Sequence, residues 1–573
     1  MLYKGISAAP GIAIGQAFVI KDAEFCAIKK NIPKEEIPKE VERFEKAVAE
    51  FKLELEKTKK KAEKNLGKKH IRLFDAYIFT IEDPLLRDEV IVKIRDEKVN
   101  AEYALQEIIG KNLKAFDKIK DEYFRDRGRD VLEVGKRILK HLVGIHKKKL
   151  GTIPQNSILL ANNLTPTDTI SLKEDDVLGF ATNMGGKTSH TAIIAQAMEI
   201  PAVVGMNDIT QHVTDGDIVI IDGNEGVVII NPAQDTLENY KRRRQIFIAE
   251  VKELIQFRDL PSITLDGRKI VISANIEIPE EVKSVIAYGG EGVGLFRTEY
   301  MYLDRRNFPS EEEQLESYIS VAEKVFPNPV IIRTMDLGGD KFLSYFHMNE
   351  EKNPFLGLRA IRFCLKHPEI FKIQLRAILK ASAFGNVKMM FPMISGVEEL
   401  REVKKILEEV KQEFRQKSIK FDENMEVGTM IEIPSAALTV DIIAKECDFL
   451  SIGTNDLIQY TLAVDRVNEY VAELYEPLHL SILRLVKNII NAGHNAGKWV
   501  SMCGEMAGDT SYTEVLLGLG LEHFSVAPTS LLRVKNEVRK LDFAVAKNIT
   551  DEILGNANRE LLLKKVKQQK KLY

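Results

Sequence analysis

Tryptophan occurs once in this chain of 573 residues and cysteine four times. Cys26, Cys364, Cys447 and Cys503 stand far apart with no C-x-x-C pair, which excludes a zinc ribbon and a disulfide framework and leaves reduced thiols as the expectation. An excess of one charge is also missing. Lys and Arg number 82 against 85 Asp and Glu, a formal net charge of -3, so no domain-wide basic surplus points to nucleic acid or a membrane surface. No apolar run approaches the ~18 residues of a membrane span, and no basic segment followed by a hydrophobic one opens the chain, so a cytoplasmic protein is expected. A complete nucleotide P-loop is lacking too: Gly186-Lys187-Thr188 matches the end of that motif, but Ala181 holds the place of its first glycine.

What is present describes a large globular chain, 45% hydrophobic and 29% charged, long enough for about three or four folding units. Ala9-Pro10-Gly11 with alternating Ile12, Ile14, Ala17 and Val19 predicts short strands and turns. From Pro38 the pattern changes: Ile37, Val41, Phe44, Val48, Phe51 and Leu55 follow a helical heptad spacing whose seam wants partner helices. Ile71, Phe74, Ile78 and Ile81 supply a second amphipathic stretch, and further periodic segments cover about 85 to 97, 101 to 118 and 122 to 146. Strand character returns at Ser157 to Ala161, Val177 to Ala181 and Ala202 to Val204, then in two runs, Ile218 to Ile221 and Val227 to Ile230, around a Gly223 to Gly226 turn. The economical reading is one α/β domain, residues 1–20 with 148–230, carrying a helical bundle, 21–147, inserted at a loop. Residues 231–260 are expected to link onward through a helix from Thr236 to about Arg258, with the arginines at 242 to 244 facing solvent. Over 261–573, strands centred near Ile272, Val293, Ile331, Met389, Met430, Leu450, Val500 and Phe524 alternate with helical segments. Eight such strands predict a (β/α)8 barrel, with an open doubly wound sheet as the alternative.

Chemistry concentrates in two places. Gly185-Gly186-Lys187-Thr188-Ser189-His190-Thr191 precedes a helix marked by Ile193, Ile194 and Ala197, which puts His190 in its first turn. Unpaired amides, the dipole end and nearby glycines and hydroxyls suit an anion such as phosphate; a histidine that merely caps a helix is the alternative. In the barrel region Arg297, Arg333, Glu432, Asn455 with Asp456, and Cys503 each stand just past an apolar strand, at the end that forms the active-site face of a β/α barrel. Singly, each arginine reads as a surface ion-pair partner and Cys503 as a small buried hydrophobe. Together they specify a task. Two arginines, with Arg466 as a third candidate, hold phosphate or carboxylate oxygens, while Glu432 and Asp456 are hard ligands suited to Mg²⁺. Magnesium with arginines implies phosphoryl transfer.

The stretch Gly185 to Ala195, Gly294-Leu295-Phe296-Arg297-Thr298-Glu299, Arg333-Thr334-Met335-Asp336, Asn353-Pro354-Phe355-Leu356-Gly357-Leu358-Arg359, Gly453-Thr454-Asn455-Asp456-Leu457 and Cys503-Gly504-Glu505 resemble the enzyme I family of the bacterial sugar phosphotransferase system, over essentially the whole chain. The resemblance implies a swivelling phosphohistidine α/β domain with an inserted helical bundle, followed by a phosphoenolpyruvate-binding (β/α)8 barrel that also dimerises. It implies that His190 takes the phosphoryl group of phosphoenolpyruvate through Nε2, with Arg297, Arg333, Arg466 and Asn455 on the substrate and Glu432 and Asp456 on Mg²⁺. Cys503 would protonate the enolate carbon to release pyruvate, and a histidine-containing phosphocarrier protein docked on the bundle near Phe74, Ile78, Phe79 and Asp83 would receive the group. The enzymatic alternatives are relatives of phosphoenolpyruvate synthase and pyruvate phosphate dikinase. Those carry a nucleotide-binding domain ahead of the histidine, where this chain has a bundle without a glycine-rich phosphate loop. A nitrogen-signalling paralogue is the regulatory alternative.

Overall fold

The computed structural model describes residues 1–20, 29–65, 84–117, parts of 134–142, 153–164, 177–186, 190–302, 307–338, 351 and 353–556 without 467 and 469. The described chain divides into two compact units, one built on residues from Met1 to Arg244 and the other from Gln245 onward.

In the first unit the apolar segments form one eight-stranded sheet: β1 (Leu2–Lys4), β2 (Ile6–Ala9), β3 (Ile12–Ile20), β4 (Ser157–Ala161), β5 (Val177–Thr182), β6 (Ala202–Val204), β7 (Ile218–Asp222) and β8 (Val227–Ile230). Their spatial order is β1-β8-β7-β3-β4-β5-β6-β2. The centre is parallel and covered on both faces, which is why β4 reads as an unbroken apolar run. Leu159 and Ala161 point into one core with Phe180, Ala202 and Val204, while Ile158 and Leu160 point into the other with Ala181, Val203 and Ile221. Each large side chain buried this way contributes roughly 1.5–3 kcal/mol.

β3 and β4 lie side by side, paired from Gln16↔Ser157 to Ile20↔Ala161, so everything between them in sequence is an insertion. Its described part is helical: α1 (Ile37–Asn65), α2 (Pro84–Glu97) and α3 (Ala101–Asp117). Val41, Phe44, Phe51 and Leu55 of the heptad seam pack with Val90, Ile94, Leu105 and Ile108, and with Val134 and Ile138. The expected stretch at Ile71 to Ile81 and most of 122 to 146 lie outside the described residues.

The helix that holds His190, α4 (His190–Ala197), presses Ala192 and Ala195 onto the sheet, small side chains that allow close packing. Gln196 fastens it by donating to the Ala8 carbonyl at 2.8 Å. After the β7–β8 hairpin comes α5 (Gln234–Ile255), close to the expected connecting helix. One expectation fails there. Arg243 does not simply face solvent; it reaches the fully buried Asp222 at 3.1 Å and Glu225 at 2.8 Å and lies 4.7 Å from the Tyr240 ring.

In the second unit all eight expected strands are present: β9 (Val271–Ile276), β10 (Val293–Phe296), β11 (Val330–Arg333), β12 (Val387–Phe391), β13 (Val427–Ile431), β14 (Phe449–Ile452), β15 (Trp499–Met502) and β16 (His523–Val526). Each pairs in parallel with the next, and β16 pairs with β9 from His523↔Val271 to Val526↔Ala274. That pairing closes the barrel and excludes the open sheet. Beneath the mouth Leu295, Ile331, Met390, Met430, Phe449 and Cys503 form a core layer. Among the described residues no helix is long and apolar enough to cross a membrane.

Candidate active site

Because all barrel strands run the same way, residues at their C-terminal ends share one mouth. Arg297 follows β10, Arg333 ends β11, Glu432 follows β13 and Cys503 follows β15. Asn455 and Asp456 sit in the first turn of the helix Thr454–Leu462, just after β14.

The mouth is a buried network of compensated charge. Arg333 meets Glu299 at 3.0 Å and Asp336 at 3.2 Å. Asp336 is shared: Arg359 holds both of its oxygens at 3.0 Å, and the same guanidinium nitrogen reaches Asp456 at 3.0 Å. Arg359 also donates to the Tyr460 hydroxyl at 3.1 Å, and Tyr460 donates to the Phe355 carbonyl at 2.6 Å. Arg359, not Arg466, is therefore the third arginine of this network. Arg466 is exposed in the turn beyond the helix, where the Tyr475 hydroxyl accepts from its side chain.

Arg359 had no role in the sequence reading, although it ends the quoted Asn353 to Arg359 motif. It follows no strand, yet its side chain lies at the mouth against Asp336 and Asp456. The clearest trace in the sequence is Gly338: its φ is +140°, and a Cβ there would collide with Arg359 Cβ. Glu299 and Asp336, also inside quoted motifs, proved to be the counter-ions of Arg333. Glu277, just past β9, was missed altogether; it pairs with Arg297 at 2.7 Å.

Glu432 is buried and accepts the Met393 amide at 2.7 Å. Burial pushes its carboxyl above the ordinary range, and the charges of Asp456 and Asp336 push the same way against Arg333 and Arg359. A buried carboxyl whose proton affinity is raised by a neighbouring carboxylate fits a hard divalent cation whose other ligands come from substrate and water. Among the described residues no group of three or more His, Cys, Asp or Glu forms a cage of its own.

Cys503 is 3% exposed, deeper than a rim position. Burial raises its thiol pKa; the Ser451 hydroxyl, 3.4 Å from Sγ, and the Arg333 charge oppose the rise. Asn455 links two mouth loops: its Oδ1 accepts the Glu505 amide at 3.0 Å.

In the first unit His190 opens α4 as expected, but its side chain, with Lys187, Thr188 and Ser189, lies outside the described residues. Thr191 departs from expectation. It is buried and donates to the Leu164 carbonyl at 3.2 Å, so its hydroxyl anchors the helix and does not serve an anion. The backbone before His190 turns at Gly185, whose φ of +118° suits glycine.

The model for the PEP-binding domain of PEP-utilising enzymes matches residues 251–543, that for their mobile domain 153–226 and that for their N-terminal region 4–127. Fold and mouth thus define a PEP-utilising enzyme. Similar curated proteins are the phosphoenolpyruvate-protein phosphotransferases of Priestia megaterium, 44% identical with 98% of each chain covered, and of Staphylococcus carnosus strain TM300, 42% identical with 99% of each covered. An NMR structure of an Enzyme I protein is 40% identical, covers 43% of this chain and 99% of its own, and has a TM-score of 0.36. The chain belongs to the phosphoenolpyruvate-protein phosphotransferase family.

Proposed function

We propose that this enzyme moves the phosphoryl group of phosphoenolpyruvate to His190 and from there to a histidine of a small phosphocarrier protein, the first step of sugar uptake. The observation that carries the reading is the convergence of Arg297, Arg333, Arg359, Glu432 and Asp456 at one barrel mouth, the equipment for a phosphorylated carboxylic acid. Arg297 and Arg333 hold the phosphate and carboxylate oxygens, with Asn455 and the exposed Arg466 closing over them. Arg359 is a positioning residue, because it orients Asp336 and Asp456. Glu432 and Asp456 would hold the divalent cation, Mg²⁺ in our reading, which when bound offsets charge on the phosphoryl oxygens.

His190 Nε2 attacks phosphorus, the bond from phosphorus to the enol oxygen breaks, and the electron pair leaves on enolpyruvate. The Cys503 proton moves to the enolate carbon, pyruvate departs, and the thiolate recovers a proton from solvent. Neutral imidazole is a competent nucleophile near pH 7, and its phosphorylated form stays reactive enough to pass the group on.

We assign residues 1–20 with 148–230 as the phosphohistidine domain, 21–147 as the carrier-binding insertion and 261–573 as the substrate and dimerisation barrel. Residues 231–260 link them, and the histidine domain swivels between donor and acceptor. The carrier contacts expected at Phe74, Ile78, Phe79 and Asp83 lie outside the described residues. Incubation with phosphoenolpyruvate and Mg²⁺, without nucleotide, is expected to place one phosphoryl group on the peptide containing His190, read by mass spectrometry. No modification, or one that requires ATP, refutes the assignment.

A further inference from the structure

The arginines of the mouth are not neutralised alike. Arg333 and Arg359 pair with carboxylates in the buried network, and their side chains are 10% and 9% exposed. Arg297 stands apart. Its Nη1 meets Glu277 Oε1 at 2.7 Å, and the two side chains are 32% and 26% exposed, within reach of solvent and of an entering ligand. Arg333 is close enough for its charge to oppose that of Arg297, and Glu277 offsets that repulsion while no anion is present.

Glu277 is delivered to this place by the backbone. The buried Glu281 carboxylate accepts the amides of Glu277 at 2.6 Å and Ile278 at 3.0 Å, which fixes the turn directly after β9. The turn is therefore held from below while the Glu277 side chain faces the mouth.

We propose that Glu277 is a resident counter-ion that anionic ligands must displace from Arg297, and that it sets how much negative charge a ligand needs to enter the mouth. The inference rests on the reading of the mouth as the phosphoenolpyruvate site. A carboxylate touching the guanidinium competes with phosphate for the same donors and repels the ligand as it approaches. A ligand with both phosphate and carboxylate groups gains enough from Arg297 and Arg333 together to replace Glu277. A singly charged acid does not. Glu277 thereby discriminates against the singly charged product, pyruvate, in favour of the substrate.

Glu277→Gln tests this, because the amide keeps an oxygen for Arg297 and loses the charge. In steady-state phosphoryl transfer from phosphoenolpyruvate through His190 to the carrier protein, KM for phosphoenolpyruvate is expected to fall about fivefold with kcat held within about twofold. Inhibition by pyruvate and by inorganic phosphate should strengthen by at least the same factor. Glu277→Ala should behave likewise, since charge and not packing is at issue. An unchanged or raised KM in Glu277→Gln, or a fall in kcat with KM constant, overturns the assignment. A parent chain that neither binds phosphoenolpyruvate nor is phosphorylated by it overturns the barrel reading and this inference together. A parent that does both, with Glu277→Gln indistinguishable from it, overturns this inference alone.

Discussion

At the barrel mouth, a methyl group added to Gly453 would come within 2.8 Å of Glu432 Oε2, whereas at Gly186, before the histidine helix, it would meet none of the described residues within 4 Å. The same contrast holds for charge. Glu299, Asp336, Asp456, Arg333 and Arg359 compensate one another around the mouth, while the described backbone before His190 is the uncharged glycine pair Gly185-Gly186. A filled, mutually braced site suits a small ligand whose oxygens must be met at fixed distances. A glycine pair ahead of a helix suits a side chain that approaches two different partners, as proposed for His190. The difference teaches that preorganisation and access are separate requirements, which the proposed relay assigns to separate units.

The sharpest way to break the comparison is to remove the chemistry from the open side only. His190→Ala is expected to abolish phosphorylation of the chain and of the carrier, read by radiolabel transfer, while calorimetry still detects phosphoenolpyruvate binding to the barrel. Loss of both would mean that the two sites are not separable. On the braced side, Arg359→Met leaves Asp336 and Asp456 without their shared cation. It should cost about 3–5 kcal/mol of stability in urea unfolding, with phosphorylation slowed by roughly a hundredfold or more.

The glycines sharpen the contrast at smaller scale. Gly453→Ala must displace Glu432 and should destabilise by about 1–3 kcal/mol, while Gly186→Ala should stay within about 0.5 kcal/mol in the same unfolding experiment. Equal effects would show that the loop is as tightly packed as the mouth.

The smallest effect concerns protons. Glu432 titrates above its ordinary value of 4.5, so the folded chain keeps a proton that the unfolded chain has already lost. Its contribution to stability is complete below 4.5 and is lost as pH rises through the raised value. Mg²⁺ needs the ionised carboxylate, so its binding should release protons and strengthen with rising pH. At fivefold excess over Kd it should add about 1 kcal/mol, seen as an increase in Tm that is larger at pH 9 than at pH 6. A Tm increase independent of pH would remove Glu432 from the ligand set.

Much of the fold was legible in the chain because periodicity reports burial. The run Ser157 to Ala161 announced a strand, which the fold covers on both faces, and the heptad from Val41 to Leu55 announced a helix with partners. The site was legible where chemistry follows a strand directly, as at Arg297, Glu432 and Cys503. It was not legible where a loop returns a side chain from elsewhere. Arg359 and Asp336 are 23 residues apart and form a bidentate pair, and no periodic signal marks such a contact. Thr191 misled for a related reason. A hydroxyl beside a candidate anion-binding histidine looks available until Leu164, 27 residues earlier, is found to accept from it.

By itself, the sequence determined which segments become strands and helices, their order, and which strand ends carry reactive groups, because local patterning and residue chemistry suffice for these. Tertiary structure alone decided that the eight strands close, that Arg359 joins Asp336 and Asp456 at the mouth, and that Glu277 stands against Arg297. Closure and counter-ion choice depend on distances between residues far apart in the chain, and those distances exist only once the backbone has folded.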